Sequence, residues 1–428
     1  MQTNKVHDII GIGIGPFNLG LAALAHSVPG LNCLFLDKNK SFEWHPGLML
    51  EGARLQVPFL ADLVTLADPS SKFSYLCFLK AKNRLTRFAI HENYYPTRKE
   101  YNQYCQWVAT QLPSLQFGKT CTAITHNVQT NFYNVVTRNN DTGEFELFHG
   151  KHIVVGTGTV PFMPACAQTG TWPLVFHSGE YLFKQDILKC INDITIIGSG
   201  QSAAEIFHHL LTSRTDLKKL SWFTRSARFF PMEYSKLSLE MSSPDYIDYF
   251  FGLTTEQKKK VLAGQDQLYK GINFSLINEI YDLLYMRSLD ENAMLPHIAT
   301  SSELTSIEKN PDGFKLEIMH KETGKAFTHQ TGAVILATGY RQQVPAFLGG
   351  IKKLILWKED GYYDVQQNYS IDRANTVFAQ NGDLHTHGFN SADLGLGAYR
   401  NAVMLNHILQ GARFSIEKET GFQYFNRS

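Results

Sequence analysis

The chain lacks several features that would assign it a role at sight. Neither sign of charge is in excess, with 40 Lys plus Arg against 39 Asp plus Glu in 428 residues. Nucleic acid and anionic membrane surfaces are therefore not expected partners. Its six cysteines (Cys33, Cys77, Cys105, Cys121, Cys166, Cys190) are scattered, and no two form a C-x-x-C pair. That spacing speaks against a zinc site and against a dithiol redox centre. No apolar run approaches about 18 residues, so no membrane-spanning helix is expected. The opening Met-Gln-Thr-Asn-Lys runs straight into a strand pattern and leaves no room for a signal peptide, which makes the cytoplasm the expected location. The length suggests two or three domains with ample core.

What the chain has is glycine at the ends of apolar strands. In Asp8-Ile-Ile-Gly-Ile-Gly-Ile-Gly-Pro-Phe-Asn-Leu19 an apolar run meets Gly11, Gly13 and Gly15, and a helical pattern follows. Strand, tight turn and helix in that order make a dinucleotide-binding unit. Gly11 permits the turn, Gly13 lets the backbone approach a pyrophosphate, and the helix N-terminus offers free N–H groups. Pro16 stands where a third glycine is usual. The next strand, Leu31 to Leu36, ends in Asp37, an acid placed to bind adenosine ribose hydroxyls.

A second unit of the same kind is Ile194-Thr-Ile-Ile-Gly-Ser-Gly-Gln-Ser-Ala-Ala-Glu205. Gly198 and Gly200 form its turn, and Gln201 and Ser202 can add hydrogen bonds at the phosphates. Its downstream strand, Leu220 to Thr224, ends in Arg225 rather than an acid, with Arg228 close by. An arginine there favours a 2′-phosphate and hence NADPH, unless both arginines are only solvated surface residues. An acid at one site and arginines at the other imply FAD in the first and NADPH in the second.

The remaining chain is arranged around these units. Phe42-Glu-Trp-His-Pro-Gly47 is an aromatic loop that either covers a cofactor ring or packs on the surface. Residues 73–88 read as a helix. Another begins with Pro96 at its first position, and its stripe of Tyr101, Tyr104, Cys105 and Val108 reads as core. Residues 121–138 and 144–148 suggest a small antiparallel sheet, and His152 to Gly158 a strand that re-enters the first domain. Residues 231–300 are helical and aromatic, with Asn273 and Ser275 before a periodic helix through Ile277, Ile280, Tyr281 and Leu284. Strands are expected at 303–308 and 314–319, and Ala333 to Tyr340 is a third strand-to-glycine turn. A helix spans about Leu394 to Leu409. His385 and His387 have no third ligand nearby, so no metal is assigned.

The fold class is therefore α/β with two dinucleotide-binding, Rossmann-like domains. The FAD domain takes 1–165 and 330–428. The NADPH domain, inserted at 190–330, carries a small, mostly helical substrate region at about 231–300.

Together these motifs resemble the lysine/ornithine N-monooxygenase family, the microbial flavin-dependent amine hydroxylases of siderophore biosynthesis. The resemblance covers nearly the whole chain. It rests on Gly11 to Leu19, Trp44-His-Pro46, Phe59-Leu-x-Asp-Leu63, Asp68-Pro-Ser70, Pro96-x-Arg98-x-Glu100-Tyr101, Gly198 to Ala203, Asn273-x-Ser275 and Ala337-Thr-Gly-Tyr340 with Pro345. One departure is Gly332, where the family usually has an acid.

The resemblance implies that NADPH reduces FAD and that O₂ adds to the reduced flavin as a C4a-hydroperoxide. The neutral amine of the substrate then attacks the distal oxygen. No protein nucleophile is needed, and none is obvious. Gln56 and His45, with Trp44 beside them, correspond to residues lining the flavin. Asn273 corresponds to an asparagine that contacts substrate and NADP, so Gln56 and Asn273 are expected nearest the chemistry. Thr338, Gly339 and Tyr340 are expected against the cofactors. By analogy with the family, a homo-oligomer, dimer or tetramer, is expected.

The substrate positions depart from the amino-acid hydroxylases. Where those read Phe-Leu-Lys-Asp-Leu and pair the lysine with the substrate carboxylate, this chain has Ala61. An asparagine or aspartate before the family's Glu aligns with Leu239 before Glu240, and a serine five positions before the tail arginine aligns with Gly395 before Arg400. A substrate without a carboxylate is expected: putrescine, cadaverine or histamine. The alternative is that Arg54 or Lys236 does the lysine's job, with ornithine or lysine as substrate. Glu233 and Asp393 are the candidates for a far ammonium. A disulfide reductase is disfavoured by the missing cysteine pair. Phe176-His-Ser-Gly only faintly echoes Baeyer–Villiger and sulfur-oxidising monooxygenases. A plain NADPH-oxidising flavoprotein would form no hydroxylated amine.

Overall fold

The computed structural model describes residues 5–168, 170 and 172–425. Its first sheet grows from β1 (Val6–Ile12), whose Ile9 and Ile10 are fully buried. Apolar side chains on both faces suit a parallel strand covered on two sides. α1 (Pro16–His26) follows, and β2 (Cys33–Leu36) returns parallel to β1. Pro16 sits in the first turn of α1, where its missing N–H loses no hydrogen bond and its fixed φ suits a helix.

The predicted helix over 73–88 is two short ones, α2 (Tyr75–Ala81) and α3 (Leu85–His91). Asn83 between them takes a left-handed backbone, φ 55°, which an α-helix cannot absorb. α4 (Arg98–Ala109) begins after Thr97 rather than at Pro96, because the Thr97 hydroxyl caps it by accepting the Glu100 N–H at 3.1 Å. Its Tyr101, Tyr104, Cys105 and Val108 are buried. Each large side chain on that stripe contributes roughly 1.5–3 kcal/mol.

The expected separate antiparallel sheet is continuous with the first. Beyond β2 lies β3 (Leu115–Gln116), and β4 (Lys119–Asn127) and β5 (Phe132–Asn139) form a hairpin. β6 (Phe145–Val155) pairs antiparallel with β5 along its first half and parallel with β1 towards its end. The strand predicted from His152 is thus the end of β6, and the sheet runs β3-β2-β1-β6-β5-β4.

β7 (Val160–Pro161) leads out of this sheet. The second sheet contains β8 (Val175–His177), β9 (Asp193–Ile197), β10 (Lys219–Phe223) and β11 (His297–Ala299), with α5 (Gln201–Ser213) following β9. β12 (Ser302–Asn310), β13 (Gly313–His320) and β14 (Ala326–Thr331) make a small antiparallel sheet, one strand more than predicted. β15 (Ala333–Leu336) then inserts between β9 and β8. The predicted return to the FAD domain at 330 is therefore too early, and the predicted start of the second domain at 190 too late. Four buried apolar residues suit either sheet; hydrogen bonding with β8 and β9 decides. A Cβ on Gly332 would lie 2.8 Å from Ile191 Cγ2, so the family's acid has no room there.

The region 231–300 holds α6 (Pro244–Gly252), α7 (Thr255–Ala263) and α8 (Phe274–Ser288). In α8 only Ile280 of the predicted stripe is buried, and Tyr281 is exposed. α6 leans on the first domain, with Tyr246 and Phe250 clustered on Phe389. β16 (Tyr340–Arg341) pairs antiparallel with β7, so the outgoing and returning crossings lie side by side. β17 (Val377–Ala379) completes the first sheet beside the end of β6, and α9 (Gly395–Ile408) packs on α1. Among the described residues no helix is long and apolar enough to cross a membrane.

Candidate functional site

Both glycine turns are shaped for phosphate. Gly13 has φ +89°, and a Cβ there would lie 2.4 Å from the Gly156 carbonyl oxygen. Gly198 has φ +141°, and its Cβ would lie 2.1 Å from the Ala337 carbonyl oxygen. A Cβ on Gly11 would strike the Phe35 ring at 2.2 Å. Asn18, a letter of the signature with no role predicted, donates to the Gly13 carbonyl at 2.8 Å and ties the loop down.

The helix caps tell the same story. Thr97, Ser243, Thr254 and Asn273 cap α4, α6, α7 and α8 through their side chains. α1 and α5 start at Gly15 and Gly200 with no side-chain cap. No atom lies within 4 Å of a Cβ built on Gly15, and the nearest to one on Gly200 is 3.7 Å away. Uncapped N–H groups facing open space are what a pyrophosphate needs, so the residues fit two dinucleotides. Ser202 stands part-exposed in the first turn of α5.

Asp37 lies at the first turn, where it accepts the Ile14 N–H at 2.6 Å and the Asn39 N–H at 2.7 Å. Arg225 lies at the rim of the second, since its neighbour Ser226 meets Ser199 at 3.0 Å. The Arg225 side chain is 68% exposed, and its partner Glu303 is 4.0 Å away. A guanidinium so loosely held is free to take a phosphate. Arg225→Ala is expected to raise the KM for NADPH about 10–100-fold while leaving that for NADH nearly unchanged. Steady-state kinetics with both nucleotides check this, and an equal response would refute it.

The two domains meet at a hydrogen-bonded junction. Gln56 Nε2 donates to Gln201 Oε1 at 3.3 Å, and the Asn273 N–H donates to the same oxygen at 2.8 Å. Gln201 Nε2 donates to Glu205 at 2.9 Å. Arg98 grips both Glu205 oxygens, at 2.8 and 3.1 Å, and the Leu48 carbonyl at 2.7 Å. Gln56, Gln201 and Asn273 thus converge, as a shared site requires. Asn273 Oδ1 is committed to the Ser275 N–H and hydroxyl, so its amide NH₂ is the end available to a ligand. Arg98 and Glu205 stood in the quoted motifs without a role. The signal was an opposite-charge pair inside otherwise glycine-rich and apolar segments.

Beside this junction runs an aromatic chain. Trp44 meets Tyr101 and His45 at centroid distances of 5.2 and 4.9 Å, and His45 meets Tyr340 at 6.1 Å. Burial, aided by the Arg98 charge, pushes the His45 imidazole down to about 4, so it is neutral at pH 7. Thr338 donates to the Phe162 carbonyl at 2.5 Å, and His177 Nε2 meets the Gly339 carbonyl at 2.9 Å. Ala337 to Tyr340 therefore fixes the domain crossing, and His177 of the weak Phe176-His-Ser-Gly echo serves the same purpose.

Two of the three substrate positions come together. A Cβ on Gly395 would lie 3.6 Å from the Ala61 Cβ and 3.2 Å from Asp393 Oδ1. Leu239 does not join them. It is exposed and lines a neighbouring cleft of about 400 Å³ with Leu66, Ser242, Leu396 and Tyr399. Lys236 lines that cleft too, and Arg54 donates to the Tyr95 carbonyl at 3.0 Å. Glu233 is exposed and bonded to Ser235 and Ser238. His385 and His387 face different rings, Tyr362 at 4.2 Å and Tyr369 at 4.5 Å.

Residues 5–342 match the family model for L-lysine 6-monooxygenase/L-ornithine 5-monooxygenase. A putrescine N-hydroxylase from Shewanella oneidensis is 46% identical over 422 residues, 98% of this chain and 84% of that protein. The crystal structure of DfoA bound to FAD, the cadaverine monooxygenase of desferrioxamine biosynthesis in Erwinia amylovora, superimposes with TM-score 0.96 at 46% identity over 99% of each chain. The ornithine N-hydroxylase KtzI from Kutzneria, solved with reduced FAD, NADP⁺ and L-ornithine, gives TM-score 0.89 at 25% identity over 95% of this chain and 99% of its own. The chain belongs to the L-lysine 6-monooxygenase/L-ornithine 5-monooxygenase family of flavin-dependent N-monooxygenases.

Proposed function

We propose that the protein is an FAD- and NADPH-dependent N-hydroxylase of a short aliphatic diamine, putrescine or cadaverine, in siderophore biosynthesis. The observation that carries this is Ala61 against Gly395. A substrate carboxylate brought there would meet a methyl group, a bare backbone and the Asp393 carboxylate. Losing a buried charge partner costs several kcal/mol, so an amino acid is disfavoured. The names of the S. oneidensis and E. amylovora relatives point the same way.

The flavin, once reduced by NADPH, supplies the oxygen chemistry. The chain holds FAD at the first turn, with Asp37 on the ribose side and Gly15 at the phosphates. It holds NADPH at the second, with Arg225 at the 2′-phosphate. Gln56 and Asn273 position the reacting amine between the two. An alkylamine has a pKa of about 10, and only its neutral form carries the lone pair that is oxidised. A site bordered by a neutral His45 and the Trp44, Tyr101 and Tyr340 rings favours that form. A cytoplasmic homo-oligomer belongs to the same reading, and the exposed Tyr281 and Tyr285 on successive turns of α8, with the exposed Leu289 at its C-terminal cap, support self-association.

Hydroxylamine formation and NADPH oxidation measured against putrescine, cadaverine, histamine, ornithine and lysine test the proposal. Preferred turnover of ornithine or lysine would sink it. Ala61→Lys is expected to lower diamine turnover about tenfold or more by placing a like charge beside the far ammonium. An unchanged preference would mean that position 61 lies away from the substrate.

A further inference from the structure

The segment that follows α9 belongs to neither sheet nor helix, so its backbone N–H groups have no ladder to join. Two carboxylates of the substrate region take them instead. Asp245, in the first turn of α6, accepts the Glu419 and Thr420 N–H groups at 3.1 and 2.6 Å and the Thr420 hydroxyl at 2.6 Å. Glu240 accepts the Phe422 and Gln423 N–H groups at 3.1 and 3.0 Å and the Gln423 side-chain amide at 3.0 Å. Phe425 then packs on Tyr246 and Tyr249 at centroid distances of 5.1 and 6.3 Å. At the near end Phe414 is pinned to α9, where Asn406 accepts its N–H at 2.9 Å and donates to its carbonyl at 2.8 Å.

Between these anchors the segment borders the cleft of about 400 Å³ that holds Leu239. Ile416 and Glu417 line the cleft from the tail, Leu396 and Tyr399 from α9, and Leu239 and Ser242 from the substrate region. The cleft adjoins the substrate positions. Leu396 directly follows Gly395. Ser242 hydrogen-bonds Asp393, whose Oδ1 lies 3.2 Å from a Cβ built on Gly395. Charge in the cleft is balanced. The Glu240 carboxylate is spent on the tail, and Lys236 and Glu417, of opposite sign, both line the space. Apolar walls without a spare charge suit a methylene chain and discriminate by shape.

We infer that this cleft receives the distal part of the amine and that residues 415–420 are its outer wall, so that the tail sets how long an amine is accepted. This rests on the amine-hydroxylase reading above, with the substrate beside Ala61 and Gly395, and not on which amine is preferred.

The double variant Glu240→Ala, Asp245→Ala removes the six hydrogen bonds that those two carboxylates give the tail and so frees the wall. Wild type and variant are assayed for hydroxylamine formation from putrescine and from 1,8-diaminooctane. The ratio of the two kcat/KM values within one preparation cancels any loss of folded enzyme. That ratio is expected to move about tenfold or more toward the longer diamine. An unchanged ratio would overturn the inference and leave the tail a brace. Ile416→Trp fills the cleft from the tail side and tests the opposite sign. It should lower kcat/KM for 1,8-diaminooctane about tenfold and that for putrescine by less than about threefold. Equal falls, or none, would overturn the inference. If the double variant loses its flavin, Ile416→Trp decides alone. Failure of the diamine reading shows in the wild type, as preference for ornithine or lysine, and the length ratio is then read between those two.

Discussion

Glu205→Ala should lower stability by about 3–5 kcal/mol, because it strands a buried cation. The Arg98 and Glu205 side chains are 13% and 5% exposed, so water can replace little of what is lost. Arg98 would keep the Leu48 carbonyl as a partner but no counter-charge. The damage also spreads. Gln201 leans on Glu205 and is itself the acceptor for Gln56 and the Asn273 N–H. With Gln201 released, the KM for NADPH should rise along with the loss of stability. Glu205→Gln keeps the shape and one acceptor, and should lose only about 1–2 kcal/mol. Urea unfolding of the three proteins, with NADPH kinetics beside it, checks both effects. A loss below about 1 kcal/mol in Glu205→Ala would mean the pair behaves like a solvated surface contact.

Gly13→Ala and Gly198→Ala should each abolish one cofactor and spare the other. At Gly13 a methyl group meets the Gly156 carbonyl at 2.4 Å, and φ +89° is a backbone that an L side chain resists. The turn must open, which moves the uncapped N–H groups of α1 off the phosphates. About 3 kcal/mol of combined strain and clash corresponds to roughly a hundredfold weaker FAD binding, so the purified protein should be nearly colourless. At Gly198 the obstacle is the Ala337 carbonyl, 2.1 Å from the new carbon. That variant should stay yellow while its KM for NADPH rises by a similar factor. Flavin absorbance per protein and NADPH kinetics read the two separately. A colourless Gly198→Ala with ordinary NADPH affinity would reverse the assignment of the two sites.

The parts of this molecule that were legible in the sequence are those written locally. A strand, a glycine turn and a helix lie within a dozen or so residues, and the apolar stripe of α4 needs only helical periodicity. Pairing is not local. The four apolar residues of β15 fit any buried strand, so assigning them to the first sheet was as consistent with the sequence as the true placement in the second. The hairpin β4–β5 looked independent because nothing local shows that β6 continues into a parallel register with β1. Asn83 breaks a helix through one backbone angle that no periodicity displays. The site divides the same way. Each glycine turn announced itself, but Arg98 and Glu205, 107 residues apart, could be joined only by the fold. So could Ala61 and Gly395, which the resemblance had grouped by role and the structure set side by side, while Leu239 stayed outside.

The paired crossings β7 and β16 place the exit and re-entry of the chain about 5 Å apart. Everything between them is a parcel whose two ends meet. Replacing that parcel with a longer or shorter one changes the loop-closure entropy very little, because the gap to be bridged stays the same. The seam is thus a natural point for recombination, at which a nucleotide module can be exchanged without rerouting the flavin half. Any newcomer must then supply its own carboxylate to meet Arg98, because compatibility is written across the interface and not along the backbone.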